Sequence, residues 1–311
     1  MSIFGESHGD SIGVVIDGVP EGIVISMEDL KYDIARRAPG AAGTTPRKET
    51  DEPIILSGLY EGHTTGAPLT IIFKNENTRS GDYAQFDAMP RPGHADYVAA
   101  VKWDWENDPR GGGHFSGRIT LPVVAAGVVA KKALEDIDIH AELIEVGSEK
   151  DENKWADLIK AAQEEGDSLG GVVECRVDNV PIGLGEPFFD SVEALISHAI
   201  FSIPGVRGIE FGDGFAASRM KGSEHNDPFG PNGPVKNGAG GINGGITNGA
   251  PIVFRVAFKP TASISKAQDT FNFKTGKMDK LQIKGRHDAC FALRTPVIVE
   301  AMTAIVLADL V

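Results

Sequence analysis

Short runs of apolar, often β-branched residues alternate along the chain with longer segments whose apolar residues recur at helical spacing. Residues 11–17 contain the run Val14, Val15 and Ile16, which predicts a strand, and a glycine and a proline then predict a turn. Met27–Arg37 has the pattern of an amphipathic helix, with Ser26 as its N-cap and two acidic residues in its first turn. The chain therefore mixes strands and helices from its first forty residues onward.

The same criteria predict the remaining elements. Further strands are expected at residues 23–25, 54–56, 69–73, 139–146, 170–177 and 250–258, with another inside 203–215. Further helices are expected at residues 97–105, 122–134, 152–164, 190–201 and 296–308. Proline in the first turn starts the helix at 122, and a capping-box spacing from Asp190 to Glu193 starts the helix that ends near 201. Residues 221–249 are long, irregular and glycine-rich, which in a compact domain usually indicates function.

The two halves of the chain resemble each other. Residues 10–13 (Asp-Ser-Ile-Gly) lead into an apolar strand and then Val-Pro, and residues 167–170 (Asp-Ser-Leu-Gly) do the same. An amphipathic helix follows in both places. Chance similarity between Gly/Val-rich segments is the alternative, but the pattern favours one domain, 1–311, built from two pseudo-repeats at about 1–140 and 165–311. A duplicated fold would place its site between the halves.

Composition narrows the possible functions. The 311 residues include 41% hydrophobic and 24% charged side chains, as in a globular protein, and the formal net charge is −14. An acidic chain is a poor partner for nucleic acid, and no apolar run has membrane-spanning length. Two distant cysteines, Cys175 and Cys290, indicate a reduced, cytoplasmic protein without a disulfide framework. Neither belongs to a Cys-x-x-Cys pair, so no metal site is expected.

Four polar turns carry the candidate chemistry. They contain His8, His94, His114 and His287, each beside or near glycine, and three of them add arginine. Glycine lets backbone N–H groups approach an anion, arginine binds phosphate or carboxylate through a fixed fork, and histidine moves protons near neutral pH. A capped turn explains one such histidine equally well, and an arginine pair at a helix end can simply compensate the helix dipole. Together, however, the four turns favour a multiply anionic small substrate that undergoes proton transfer.

Several of these stretches match a known family. They read FGESHG at 4–9, DGVPEG at 17–22, RRAPG at 36–40, RKETD at 47–51, TTGAP at 64–68, RSGDY at 79–83, PRPGHADY at 90–97, RGGG at 110–113, a glycine-rich loop at 238–245, KPTASI at 259–264 and GRHD at 285–288. In these motifs the chain resembles the chorismate synthase family, which eliminates phosphate from 5-enolpyruvylshikimate-3-phosphate to give chorismate. The resemblance implies an α+β fold with a helical layer between two antiparallel sheets, a homotetramer, and a requirement for reduced FMN. It also associates the family with NADP and with an external flavin reductase or other supply of reduced flavin.

The resemblance also implies roles for individual residues. His8 would protonate the departing phosphate, His94 would protonate or stabilise the reduced flavin, and Asp288 would help to remove the substrate's C6 proton. The substrate's anionic groups would be bound by Arg37, Arg47, Arg91, Arg110 and Arg118. The flavin would be contacted by His114, Phe115, Ser116, Pro204, Gly205, Gly244, Lys259, Pro260, Thr261, Ala262, Ser263 and Arg286.

The chain departs from the family at three points. At residues 114–120 the family favours the pattern Arg-x-Ser-x-Arg-Glu-Thr, and this chain has His114 and Ile119 in place of the first arginine and the glutamate. Gly43 stands about where relatives carry another arginine. Relatives also usually have about ten further residues before the first motif, so the anchoring of His8 depends on how residues 1–5 are held. The alternative to an active enzyme is therefore a flavin- or anion-binding paralogue with impaired chemistry. An ordinary flavin oxidoreductase is a weaker alternative, because no nicotinamide-binding fingerprint is present.

Overall fold

The computed structural model describes residues 1–40, 42–45, 49–77, 85–231, 233–285 and 287–311. The strands are β1 Ser2–Gly5, β2 Ser11–Ile16, β3 Ile54–Ser57, β4 Leu59–Tyr60, β5 His63–Thr64, β6 Leu69–Lys74, β7 Asp138–Val146, β8 Gly171–Asp178, β9 Val206–Phe211, β10 Phe229–Gly230, β11 Gly233–Pro234, β12 Ile242–Asn243, β13 Ile246–Thr247, β14 Ile252–Phe258, β15 Gln268–Asn272 and β16 Lys277–Leu281. The helices are α1 Met27–Arg37, α2 Asp96–Lys102, α3 Thr120–Ala133, α4 Trp155–Glu164, α5 Val192–Phe201, α6 Gly222–His225 and α7 Pro296–Ala308.

Two four-stranded antiparallel sheets form the outer layers. The first has the strand order β1-β2-β6-β3 and the second the order β7-β8-β14-β9. In the first sheet Val14 pairs with Ile71, and in the second Phe254 pairs with Cys175, so the fully buried side chains of neighbouring strands share one face. Each sheet therefore presents one apolar face to the interior.

Helices α3 and α7 fill the space between the sheets. Most of α3 is buried: Leu121, Ala125 and Val129 pack with the first sheet, whereas Val124 packs with the second sheet and α7. A helix that is apolar all round suits a central position of this kind. At Gly127 an added Cβ would lie 2.3 Å from the Cβ of Ala301, so glycine permits the close approach of the two helices.

A buried ion network joins the helical layer to the second sheet. Glu300 on α7 is 1% exposed and accepts hydrogen bonds from Arg36 on α1, from Lys131 on α3 and from the backbone of Ala141 on β7. Asp33 completes it with contacts to Arg36 and Lys131. Burial alone would raise the pKa of Glu300, but these cations hold it below its ordinary value. The network connects elements that lie far apart in the chain.

Most of the predicted elements are confirmed. The predicted cap of α1 is a capping box, in which the Ser26 side chain accepts from the Asp29 backbone and the Asp29 side chain accepts from the Ser26 backbone. The predicted α+β class, with helices between two antiparallel sheets, is confirmed, and the two-pseudo-repeat organisation stays a prediction. Cys175 and Cys290 are buried free thiols. Within the described residues, no helix is long and apolar enough to cross a membrane.

Three local predictions need correction, and further elements were not predicted. The helix expected at 97–105 begins at Asp96 and ends at Lys102, because Asp104 and Trp105 have φ of 52° and 66°. Ser191, not Asp190, caps α5 by accepting from the Ala194 backbone. The strand expected at 23–25 is a single bridge from Val24 to His63. Strand β1 and the β15–β16 hairpin were not predicted.

Candidate active site

One cavity of about 990 Å³ collects most of the predicted site residues. Its wall includes Arg37, Arg91, His94, His114, Phe115, Ser116, Arg118, Pro204, Gly205, Lys259, Pro260, Thr261, Ala262, Ser263 and Asp288. A volume of this size is typical of sites for small molecules and cofactors. The cavity is therefore the candidate active site, although the predicted residues in its lining are separated by up to 251 positions, from Arg37 to Asp288.

The PRPGHADY motif folds into a buried ion cluster at the cavity wall. Asp96 accepts from the backbone N–H, Nε and Nη2 of Arg91, with the two guanidinium contacts both at 2.7 Å. Nη1 of Arg91 donates to Ser263, another residue of the cavity wall. Burial opposes ionisation of Asp96, but Arg91 and His94 hold its pKa far below the ordinary value. Asp96 is thus a fixed anion that orients its neighbours.

His94 is oriented by this anion. Its Nδ1 lies 2.7 Å from Asp96 Oδ1 and 3.1 Å from Arg91 Nη2. A protonated Nδ1 donates to the carboxylate, whereas a bare Nδ1 accepts from the guanidinium, so only one contact is a hydrogen bond in a given protonation state. The shorter distance and the negative charge favour the Nδ1–H form. Burial, Arg91 and Lys259 lower the pKa of His94, and Asp96 opposes them.

A run of three glycines separates His94 from His8. Gly111, Gly112 and Gly113 all have positive φ. A Cβ on Gly111 would lie 3.0 Å from His8 Nε2, and a Cβ on Gly112 would lie 3.4 Å from His94 Cε1. The absence of side chains in this segment lets both imidazoles approach its backbone.

His8 is held firmly although it lies near the start of the chain. Strand β1 pairs with β2, and the Ser7 N–H donates to the carbonyl of Gly113. Asn75 donates to the carbonyls of Glu6 and Gly9 on either side of His8. His8 is itself buried, at 8% exposure, and is separated from the cavity by Gly111. The expected anchoring problem is solved by these contacts.

Asp288 faces the cavity beside an arginine that was not predicted to act there. Its Oδ1 accepts from the Thr45 backbone N–H at 2.9 Å and lies 3.7 Å from Nη1 of Arg294. Arg294 also lines the cavity and is 8% exposed. The sequence offered only a weak signal for it, an arginine just before the proline of α7. Gly43, which replaces the expected arginine, accepts from the backbones of Ala289 and Cys290 and thereby supports this loop.

Asp51 holds two of the predicted arginines together. It accepts from Nη2 of Arg37 at 3.0 Å and from Nη1 of Arg118 at 2.8 Å. Arg118 also donates to Asn75 and to the carbonyl of Lys74, so each of its three guanidinium nitrogens has a protein partner. Burial would raise the pKa of Asp51, but the two arginines hold it below its ordinary value. Arg118 thus braces the turn that carries His8, through Asn75.

Besides His8, two predicted residues lie outside the cavity wall, and two more lie outside the described residues. Arg110 is half-exposed and forms a fork to Asp108 outside the cavity wall. Gly244 lies in the turn between β12 and β13. Arg47 and Arg286 lie outside the described residues. In the described part of the chain, no group of three His, Cys, Asp or Glu side chains could hold a metal ion.

Comparison with known proteins agrees with the site. The family model described as chorismate synthase matches residues 1–311. The chain belongs to the chorismate synthase family. The chorismate synthase of Chitinophaga pinensis is 57% identical over 99% of this chain and 93% of its own length, and that of Dehalococcoides mccartyi is 46% identical over 100% and 94%. A crystal structure of chorismate synthase superposes with a TM-score of 0.74, at 27% identity, over 99% of this chain and 90% of that one.

Family membership establishes the reaction. The chain is a chorismate synthase-type lyase of the shikimate pathway, which eliminates phosphate from 5-enolpyruvylshikimate-3-phosphate, and the chorismate synthase family uses reduced flavin. The predicted recognition, fold class and activity are therefore confirmed.

Proposed function

We propose that this cavity holds 5-enolpyruvylshikimate-3-phosphate beside reduced FMN, and that His8, His94 and Asp288 carry the proton chemistry. The observation that supports this most is that segments far apart in the chain meet at one cavity. The turns at 91–94 and 111–118, the segment Lys259 to Ser263, and Asp288 all border one cavity, and His8 packs against Gly111 in its wall. Catalysis requires such groups to be held together around the reacting atoms.

The cavity fits a flavin. Ile203, Phe291 and Met302 supply apolar wall, and the Lys259 to Ser263 segment supplies polar groups. The Thr261 hydroxyl is buried and has no hydrogen-bond partner among the described residues, as expected of a group reserved for a ligand. We assign reduced FMN to this region, held by these residues with His114, Phe115 and Ser116. When bound, the reduced flavin supplies the electron density that assists loss of phosphate.

The charges near Asp288 suit an anionic substrate. Three buried guanidinium groups, on Arg37, Arg118 and Arg294, share two carboxylate partners, Asp51 and Asp288, in the described part of the chain. A third carboxylate of the cavity wall, Glu49, accepts from the backbones of Glu76 and Asn77. Guanidinium groups held in a water-excluded wall stabilise phosphate as negative charge develops on it. Because the donors of Arg91 and Arg118 are occupied by protein groups, we propose that these two position the site rather than bind the substrate directly.

The three candidate catalytic groups are held for different tasks. Asp288 uses Oδ1 for both of its contacts, so in the described part of the chain Oδ2 stays available for the C6 proton of the substrate. His94, with Nδ1–H donated to Asp96, directs Nε2 to the side of Gly112 and would hold a proton near the flavin. His8 would deliver a proton to the departing phosphate from beyond Gly111.

The second candidate function is a binding paralogue with impaired chemistry. Its support is the replacement of family residues at positions 43, 114 and 119. Gly43, however, has φ of 90°, and a Cβ there would lie 2.3 Å from Ile159 Cγ2, so this backbone requires glycine. His114 contacts the Gly5 carbonyl at 2.8 Å and so secures the His8 turn. Both replacements therefore support the site, which favours the active enzyme.

The test is an anaerobic assay with photoreduced FMN and 5-enolpyruvylshikimate-3-phosphate that follows chorismate absorbance and released phosphate. We expect equal amounts of both products, and a decrease of about 10²-fold or more in kcat for Asp288→Asn and His8→Ala. Flavin binding without turnover would support the paralogue, and near-normal rates in a variant would contradict that residue's role. We also propose a homotetramer, supported by exposed Phe188, Phe189 and Phe229, and an external source of reduced flavin.

A further inference from the structure

The hydrogen-bond donors of the buried arginines divide them into two groups. Every guanidinium nitrogen of Arg91 and Arg118 has a protein partner. Arg37 and Arg294 differ, because the Nε of each is buried without a hydrogen-bond partner among the described residues. A buried unpaired donor carries a desolvation cost that folded proteins usually avoid.

Arg294 has little protein compensation for its charge. Among the described residues its one ion pair, to Asp288, spans 3.7 Å, which is too long for a direct hydrogen bond. Its guanidinium lies over the ring of Phe291 at 5.5 Å, so an aromatic face supports one side of it. By contrast, Arg255 on the second sheet makes direct hydrogen bonds to Glu210 and to the Gly212 carbonyl. Arg294 is thus a buried cation whose Nε donor is unpaired among the described residues.

Arg37 borders the same cavity as Arg294. It donates to Asp51 through Nη2. Burial lowers the pKa of Arg37 to about 10, and the charge of Arg294 is the next contribution in the same direction. Two like charges in a buried wall repel each other, and an anion between them would relieve both the repulsion and the unpaired donors.

We propose that Arg37 and Arg294 form an oxyanion clamp for one anionic group of the substrate, and that Arg294 is a substrate-binding residue. This inference rests on the proposed function. The group is a carboxylate or a phosphate, either of which matches the guanidinium fork. Since Arg294 also contacts Asp288, the clamp sets the substrate next to the proposed base. It would thereby contribute to the orientation of the reacting C–H bond.

The test is calorimetric titration of the full-length protein with 5-enolpyruvylshikimate-3-phosphate, with shikimate as a carboxylate probe and with inorganic phosphate. We expect Arg294→Gln to weaken binding of the full substrate about 10- to 100-fold, the effect of losing a charge-assisted contact. Loss of affinity for shikimate assigns the clamp to a carboxylate, and loss for phosphate assigns it to the phosphate group. Arg294→Lys keeps the charge without the fork and is expected to show an intermediate affinity.

Arg176→Gln is the matched control, because it removes the same charge from an exposed fork to Asp178 on β8. It is expected to leave the dissociation constants unchanged. The melting temperature without ligand separates a binding role from a structural one, since removing Arg294 relieves its repulsion with Arg37. We expect that temperature to be unchanged or raised in Arg294→Gln.

Three results would overturn the clamp. One is unchanged affinity in both Arg294 variants, and another is a lower melting temperature with unchanged affinity, which would make Arg294 a structural cation. In either case, wild-type turnover would leave the proposed function standing. A wild-type protein that neither binds nor converts the substrate would overturn the proposed function and the clamp together.

Discussion

Replacing Asp96 by asparagine tests whether this carboxylate orients His94. We expect the substitution to lower both the stability of the protein and the pKa of His94. The Arg91–Asp96 pair is almost fully buried, with side-chain exposures of 4% and 10%, and both guanidinium contacts are 2.7 Å long. Removing one partner of a buried ion pair costs about 3–5 kcal/mol, because it leaves the other charge uncompensated. Asparagine keeps one acceptor oxygen for Arg91, so we expect a loss of about 3 kcal/mol. At roughly 2 °C per kcal/mol for a chain of this size, the melting temperature should fall by about 6 °C.

The same substitution should change the protonation of His94. Asp96 is the group that raises the pKa of His94 against the opposing effects of burial, Arg91 and Lys259. Without the carboxylate the pKa of His94 falls further, so imidazolium is lost at a lower pH. If turnover requires imidazolium, the decline of kcat with rising pH should therefore begin at a lower pH in Asp96→Asn. We also expect kcat at neutral pH to fall by about 10²-fold, the lower end of the contribution from a positioned acid or base.

The assay combines the anaerobic pH–rate profile with ¹⁵N NMR of the imidazole, which reports which ring nitrogen carries the proton. The wild type should show Nδ1–H, and in the variant Arg91 should donate to a bare Nδ1. Asp178→Asn is the matched control, because the Arg176–Asp178 fork has nearly the same contact lengths but is exposed to solvent. Exposed pairs contribute about 0–1 kcal/mol. An unchanged tautomer together with an unchanged pH–rate profile would refute the assignment of Asp96 as the residue that orients His94.

Two further predictions concern the triglycine run and the buried ion network. Gly111→Ala and Gly112→Ala share the cost of a side chain at positive φ, but only the first would clash, with its Cβ 2.8 Å from Ser7 Oγ and 3.0 Å from His8 Nε2. We expect kcat to fall at least about 10-fold more in Gly111→Ala than in Gly112→Ala. Equal losses of kcat in the two variants would show that turnover does not depend on the close packing of His8 against Gly111. Glu300→Gln should cost about 3 kcal/mol at neutral pH, because the half-buried Arg36 and Lys131 lose the buried carboxylate that they share and keep only Asp33. Because the folded-state pKa of Glu300 is lowered, its contribution is present above the ordinary value of 4.5 and is lost as pH falls below it, so urea midpoints measured against pH should show a flatter acid side in the variant.

Local physical chemistry made much of the fold predictable. The helix Met27–Arg37 is predicted by a capping residue, by acidic residues at its start and by arginines at its end. All three features act within a few residues of the chain. The strands around Val14 and Phe254 are β-branched or aromatic runs with one buried face. The β15–β16 hairpin was missed because Lys277–Leu281 is mostly charged and exposed, so it lacks the alternation that identifies a half-buried strand.

The sequence predicts which residues belong to the site better than it predicts which residues they pair with. Histidines beside glycines stand out in the sequence, but nothing near Arg118 indicates that its guanidinium meets Asp51, 67 positions earlier, and Asn75. Arg294 looks like an ordinary residue before a helix, and its burial against the cavity arises only when α7 packs into the layer between the sheets. Such pairings depend on tertiary contacts, which local patterns do not encode.

The arrangement of arginines explains how an acidic protein can hold a multiply charged anion. The net charge of −14 is spread over a surface from which the cavity is screened, since charges in water interact weakly beyond about 8 Å. Inside, Asp96 and Asp51 neutralise the arginines that brace the histidines, so those cations add little attraction of their own. We therefore assign the attraction to Arg37 and Arg294, whose Nε donors are unpaired among the described residues. The site thereby limits its excess charge to the place where the substrate's anionic group is expected to lie, next to the carboxylate proposed to take its proton.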